Sequence, residues 1–144
     1  MAGQPLEFAF FDIGGTLGER DPVTGKLIPF ASSKRLLKAV REIVGLRIGV
    51  ITSLGSLGDA QGRALLEQAG LASFLDPQGF VSEHDANEVT KPDPAIYRVA
   101  AEKVGVPIDR CLFVGENLIE VIGALTAGMQ ALLKPCPPGR ELPD

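Results

Sequence analysis

The sequence of 144 residues is poor in the residues that mark several classes of protein. It has no tryptophan, one histidine and two cysteines, and Cys111 and Cys136 lack the spacing of a zinc site or a redox pair. We therefore expect reduced thiols and a cytoplasmic location, since the first residues also lack a signal-peptide pattern. Fourteen basic residues against eighteen acidic ones give a net charge of −4, which argues against nucleic acid or an anionic membrane as a partner. No apolar run approaches the ~18 residues that a membrane-spanning helix needs.

What the sequence does contain is an alternation of short apolar segments and helical segments. Apolar and aromatic runs indicate buried strands, and apolar residues spaced three and four apart indicate helices. The alternation predicts one α/β domain, in which a parallel sheet is covered by helices on both faces. The predicted strands are 6–13, 46–53, 79–83, 110–116 and 129–134, the predicted helices lie within 33–44, 57–70, 91–105 and 117–128, and a hairpin is predicted over 17–30.

The polar residues that stand out follow the ends of predicted strands. Asp12 ends the first strand, Thr52 and Ser53 the second, and Glu116 the fourth, while Lys91 precedes the third helix. Right-handed crossovers place these ends along one edge of a parallel sheet, so their side chains should converge. A nucleophilic carboxylate, a hydroxyl, an ammonium and a further acid suit phosphoryl transfer with a divalent cation. Taken singly, each residue could instead satisfy a turn or face solvent.

Four segments in this order resemble the motifs of the haloacid dehalogenase (HAD) superfamily: "FFDIGGTLG", "VITS", "KPDPAIY" and "FVGENLIEVIGALTAGM". The resemblance covers residues 6–133 and implies a three-layer, Rossmann-like sheet of order 5-4-1-2-3. It also implies a covalent aspartyl-phosphate and a bound Mg²⁺ or Mn²⁺. The resemblance implies Asp12 as nucleophile, Thr52 and Lys91 on the phosphate, and Asp12, the Gly14 carbonyl and Glu116 on the metal. Ser53 is the alternative hydroxyl for the phosphate, Gly15 is a further candidate for the phosphate, and Glu120 is a further candidate for the metal.

The first and fourth motifs depart from the family pattern. The phosphatases of the family usually carry a second aspartate, an acid–base catalyst, where this chain has Gly14; glycine still offers a backbone carbonyl to a metal but moves no proton. The loss of general acid–base catalysis is typically worth ~10²–10⁴-fold in rate. Glu116 and Glu120 stand where the family usually has aspartates. Mg²⁺ demands near-ideal octahedral geometry, so a carboxylate that is longer by one methylene must retract or coordinate through water. We therefore expect slow hydrolysis that favours good leaving groups, with a weak or inactive binding or regulatory protein as the alternative.

The chain also lacks room for the cap domain that many members of the family insert. Only the hairpin over 17–30 and the short segment over 54–90 occupy the two usual places. We expect an open site that suits a macromolecular phosphorylated substrate, or one that a second copy or a protein partner covers as a lid. The core domain is predicted over 1–135, with a flexible tail over 136–144. The only histidine, His84, lies in the polar run "SEHDANE" and is predicted to be solvated surface.

Overall fold

The computed structural model describes residues 5–137 and confirms the α/β architecture. Five parallel strands form the main sheet, and two short antiparallel strands form the predicted hairpin. The elements in chain order are β1 (Phe8–Phe11), β2 (Gly18–Arg20), β3 (Leu27–Pro29), α1 (Ser33–Ala39), β4 (Arg47–Thr52), α2 (Asp59–Gln68), β5 (Phe80–Ser82), α3 (Pro94–Val104), β6 (Cys111–Gly115), α4 (Leu118–Ala127) and β7 (Gln130–Leu133).

The strand order places β1 in the middle of the sheet. The order is β7-β6-β1-β4-β5, which is the predicted 5-4-1-2-3 when the five sheet strands are counted alone. Phe11, at the end of β1, is aligned with Val50 of β4 and Val114 of β6. The residue after Phe11 therefore leaves the sheet between two neighbouring strands, where ligands bind in folds of this kind.

Side chains of β1 alternate between two buried layers, because successive residues of a strand point to opposite faces. Phe8 and Phe10 pack into the cluster formed with α3 and α4. Ala9 and Phe11 pack into the cluster formed with α1 and α2. The sheet is thus covered on both faces, as the apolar runs predict.

The first helix ends differently from the prediction over 33–44. After α1 the chain winds as a π-helix over Val40–Val44 and stops at Gly45, whose φ of +82° is left-handed. Ile43 and Val44, which follow Leu36 and Val40 at helical spacing in the sequence, are 83% and 63% exposed. The wider π turn explains the difference, because it moves later residues off the face that a period of 3.6 would give them.

Within residues 5–137, the two usual positions of a cap contain only small elements. The β2–β3 hairpin lies between β1 and α1, and one α-helix, one strand and two short 3₁₀ turns lie between β4 and α3. The predicted tail over 136–144 lies outside the described residues except for Cys136 and Pro137. None of the helices in this part of the chain is long and apolar enough to cross a membrane.

Candidate active site

Asp12 lies at the middle of the sheet edge, directly after β1. Its amide donates to the Val114 carbonyl at 2.9 Å, which extends the pairing of β1 with β6 by one residue. Thr52 ends β4 on one side, and Glu116 follows β6 on the other. The segment before α3 adds Lys91. The strand order therefore brings the predicted strand-end residues to one place.

Lys91 pairs with two carboxylates. Its Nζ lies 2.6 Å from Asp12 Oδ1 and 2.9 Å from Glu120 Oε1, and only 3% of its side chain is exposed. Glu120 Oε1 is buried and makes no hydrogen bond of good geometry, so its contact with Lys91 is an ion pair alone. Two carboxylates against one ammonium leave a negative charge in a poorly solvated space, which favours a cation.

Thr16 joins the first motif to the fourth, a role that its sequence position does not reveal. Its hydroxyl donates to Asp12 Oδ2 at 3.3 Å and accepts from the Glu116 amide at 3.0 Å, across 100 residues of sequence. Thr16 is fully buried. Both oxygens of Asp12 therefore face donors, one from Lys91 and one from Thr16, and these two contacts fix the plane of the carboxylate.

The two glycines after Asp12 have different surroundings. Gly15 has a φ of +77°, and a Cβ there would lie 2.6 Å from Glu116 Cγ. Only glycine therefore lets the Glu116 side chain lie against this loop. The Gly15 amide, predicted to face phosphate, donates to the Gly18 carbonyl at 2.9 Å. Gly14 is exposed, and a Cβ there would meet nothing within 4 Å. The loop is thus covered at Gly15 and open above Gly14.

The two hydroxyl candidates at the end of β4 differ in burial. Thr52 is 8% exposed, whereas Ser53 is exposed. Both line a cavity that Gly14 also lines, between α2 and the β2–β3 hairpin. Both therefore remain candidates for the phosphate contact.

Glu83 anchors the loop that follows β4, and the sequence marks it only as one acid in a polar run. It lies in a short 3₁₀ turn after β5, and its carboxylate accepts from the amides of Leu54 at 2.7 Å and Gly55 at 3.0 Å. Burial would raise the pKa of this carboxyl, but the amides of Leu54 and Gly55, with its own amide and the charge of His84, together hold the pKa below its ordinary value. An ionised Glu83 therefore fixes the backbone directly after Ser53.

His84 anchors the same loop one turn further on. It is an exposed residue, as predicted, but its ring is not simply solvated: Nδ1 lies 2.9 Å from Glu88 Oε1 and Nε2 lies 3.0 Å from the Leu57 carbonyl. Both neighbours are acceptors, so an imidazolium with two N–H donors satisfies both. The hydrogen bond with Glu88, followed by that with the Leu57 carbonyl, raises the pKa of His84 to about 9.

The oxygen donors around Asp12 fit a divalent cation in type. The carboxylates of Asp12 and Glu116 and the carbonyl of Gly14 are hard donors, which Mg²⁺ and Mn²⁺ prefer. Glu116 lies against the loop of Gly14, whereas Glu120 faces Lys91. Among residues 5–137, no three His, Cys, Asp or Glu side chains converge as a complete metal site. Water or substrate oxygens would complete the shell, as is usual for Mg²⁺.

Residues 15–128 match the family model of the haloacid dehalogenase-like hydrolases. The chain belongs to this family. The match includes Thr16, Lys91, Glu116 and Glu120, and it begins three residues after Asp12. The assignment of Asp12 therefore depends on its place at the sheet edge and on its contacts.

Relatives of this HAD-family chain carry phosphatase names. It is 38% identical over 89 residues to phosphatase MT3486 of Mycobacterium tuberculosis, covering 62% of this chain and 39% of that protein. It is 34% identical over 113 residues to the phosphoglycolate phosphatase of Rhodospirillum rubrum, covering 78% and 44%. A crystal structure of a HAD phosphatase from Thermococcus onnurineus matches with a TM-score of 0.62 at 29% identity, covering 74% of this chain and 46% of that chain. The chain thus spans about two fifths of the length of these curated relatives.

Proposed function

We propose that this HAD-family chain is a metal-dependent phosphohydrolase that transfers a phosphoryl group to Asp12 and then to water. The observation that supports this most strongly is the buried contact of 2.6 Å between Asp12 Oδ1 and Lys91 Nζ at the centre of the sheet edge. The phosphatase names of the relatives agree with it. The core domain over 1–135 and a cytoplasmic location are part of the same proposal.

In the first step an oxygen of Asp12 attacks phosphorus. The bond between phosphorus and the leaving oxygen breaks, and the electron pair goes to that oxygen. Lys91 and Thr16 hold the carboxylate in one orientation before attack, so little reorientation is needed when the substrate arrives. Lys91, with the hydroxyl of Thr52 or Ser53, binds the oxygens of the phosphoryl group as it is transferred.

Gly14 determines which leaving groups are tolerated. No side chain at this position can protonate the leaving oxygen, so the leaving group departs as an anion. Acyl and aryl phosphates release stable anions and should react, whereas simple alkyl phosphates should react slowly. Water attack on the aspartyl-phosphate also lacks a base from this position, so turnover should be slow.

A bound Mg²⁺ or Mn²⁺ would neutralise charge on the phosphoryl oxygens. Asp12, the Gly14 carbonyl and Glu116 would hold it. Glu120 is also predicted as a ligand, and because its Oε1 pairs with Lys91 it would in addition hold that ammonium in place. Glutamate is longer than the aspartate usual in this motif, whereas Mg²⁺ demands near-ideal octahedral geometry. The larger Mn²⁺ would therefore serve as well as Mg²⁺.

The open rim above Gly14 agrees with a substrate or lid supplied from outside the core. A phosphorylated macromolecule could reach Asp12 directly, and a second copy or a protein partner could cover the site. No nucleic acid or membrane is proposed as a partner, since the net charge of −4 opposes both.

The test is hydrolysis of acetyl phosphate and phenyl phosphate with Mg²⁺ or Mn²⁺, beside Asp12→Asn. Metal-dependent release of phosphate that disappears in the variant is the expected result. The same rate in Asp12→Asn would contradict the proposal. No release by either folded protein would instead favour the binding or regulatory alternative.

A further inference from the structure

A small cavity opens beside Gly14, two residues after Asp12, between the β2–β3 hairpin and α2. Its volume is about 190 Å³, larger than the engineered 150 Å³ cavity that is known to hold benzene. Its walls come from the first-motif loop, the hairpin, the loop after β4 and α2. The lining residues are Ile13, Gly14, Arg20, Leu27, Thr52, Ser53, Leu54, Leu57, Gly62 and Leu65.

Aliphatic side chains form half of the lining of this cavity, and the rest is two glycines, two hydroxyl residues and one arginine. Leucines and an isoleucine come from four separate segments of the chain, and Leu27 is the most deeply buried of them. Arg20 contributes the one charge, and the hairpin turn holds its guanidinium: Nε donates to the Gly25 carbonyl at 3.0 Å. Nη2 also lies beside Gly25, because a Cβ there would come within 3.3 Å of it. The charged end of Arg20 is therefore engaged by the turn.

Gly14 connects the cavity to the site of phosphoryl transfer. It lines the cavity and lies two residues from Asp12, and a Cβ at this position would meet nothing within 4 Å. Thr52 and Ser53 are shared in the same way between the cavity and the phosphate site. The space from which an acid–base side chain is missing is therefore continuous with an apolar chamber.

We propose that this cavity binds the carbon body of the substrate's leaving group, and that this body is uncharged, apolar and about the size of a six-membered ring or a chain of five or six carbons. This proposal rests on the phosphohydrolase function. The substrate class is then an acyl or aryl phosphate with an apolar body. Asp12 takes the phosphoryl group, the bond from phosphorus to the leaving oxygen breaks, and the oxygen keeps the electron pair and leaves as carboxylate or phenolate without taking a proton.

Binding of alkylphosphonates tests the cavity without any need for turnover, because their carbon–phosphorus bond is not hydrolysed. Methyl-, propyl- and pentylphosphonate are titrated into the full chain with Mg²⁺ by calorimetry. Burial of each methylene should lower Kd about fourfold. A Kd that stays constant or rises with chain length would overturn the proposal.

Two variants show which part of the protein contributes the gain in affinity with alkyl chain length. Leu57→Asn places an amide on the cavity wall and should reduce the gain in affinity from methyl to pentyl. Leu125→Asn is the matched control, because Leu125 is 53% exposed on α4 and does not line the cavity. Equal chain-length gains in both variants would place the alkyl chain elsewhere and contradict the proposal.

Acyl phosphates separate the failure of this proposal from that of the proposed function. Acetyl and hexanoyl phosphate have leaving groups of nearly equal basicity, so a higher kcat/KM for hexanoyl phosphate supports the cavity. Turnover of both at equal kcat/KM would overturn the cavity and leave the function standing. A chain-length gain in phosphonate binding without any turnover would support the cavity while the function fails. Tighter binding of 4-carboxybutylphosphonate than of pentylphosphonate would show that Arg20 recruits an anion, and would overturn the uncharged class.

Discussion

Gly14→Asp should restore the acid that the first motif lacks. Gly14 is exposed, its φ lies outside the left-handed region, and a Cβ there would meet nothing within 4 Å. An aspartate can therefore be accommodated without strain in the loop, and replacing glycine at a compatible position costs little or nothing in stability. Its carboxyl group would lie at the open side of the loop, where the leaving oxygen of a substrate bound to Asp12 is expected.

The size of the gain should depend on the leaving group. General acid catalysis is typically worth ~10²–10⁴-fold, and we expect the lower part of this range because no neighbours have been arranged to tune the new carboxyl. For glycerol phosphate, whose alkoxide leaves poorly, kcat/KM should rise by about 10²-fold. For acetyl phosphate, whose carboxylate needs no proton, kcat/KM should change little.

The assay is steady-state hydrolysis of both substrates at saturating Mg²⁺. Gly14→Asn is the control, since it has nearly the same shape and no acidic proton. The reasoning is refuted if Gly14→Asn gains as much as Gly14→Asp, or if acetyl phosphate gains as much as glycerol phosphate.

Three further predictions concern the residues that organise the site. Lys91→Met removes the buried ammonium that pairs with Asp12 and Glu120 and should cost about 3–5 kcal/mol in the free energy of unfolding measured with urea, whereas the exposed Lys38→Met should cost almost nothing. Glu83→Gln replaces a charged acceptor of two amides and should cost about 1.5–3 kcal/mol and speed hydrogen exchange in the loop after β4; unchanged exchange would contradict the anchoring role. The pKa of His84 is raised from 6.5 to about 9, so its contribution to stability is complete below pH 6.5 and disappears as pH rises through 9; the Tm of His84→Asn should lack this pH dependence, and parallel curves for the two proteins would contradict it.

The sequence predicted the fold well because its signals are local. Apolar runs mark the five sheet strands, and the left-handed glycines Gly45, Gly70 and Gly105 end helices where expected. The π turn after α1 was missed, since nothing in the composition of Val40–Val44 distinguishes it from an α-helical turn.

The candidate site was predictable where a residue follows a strand directly. Asp12 is such a case, because the position of a strand end is fixed by the topology. Thr16, Glu83 and His84 act through contacts with partners that only the folded chain brings near, at separations of 100, 29 and 27 residues. The pairing of Glu120 with Lys91 was missed for a related reason. Spacing alone does not show whether Glu120 faces the predicted metal site or Lys91.

The aspartyl-phosphate is the central claim, and trapping it is the most direct test. The chain is mixed with acetyl phosphate and Mg²⁺, quenched in acid within the first turnover, digested, and examined by mass spectrometry. The account expects one phosphoryl group, labile to hydroxylamine, on the peptide that contains Asp12, and none in Asp12→Asn. Phosphate release at a measurable rate with no phosphoryl group on that peptide, or with the group on another residue, would contradict it.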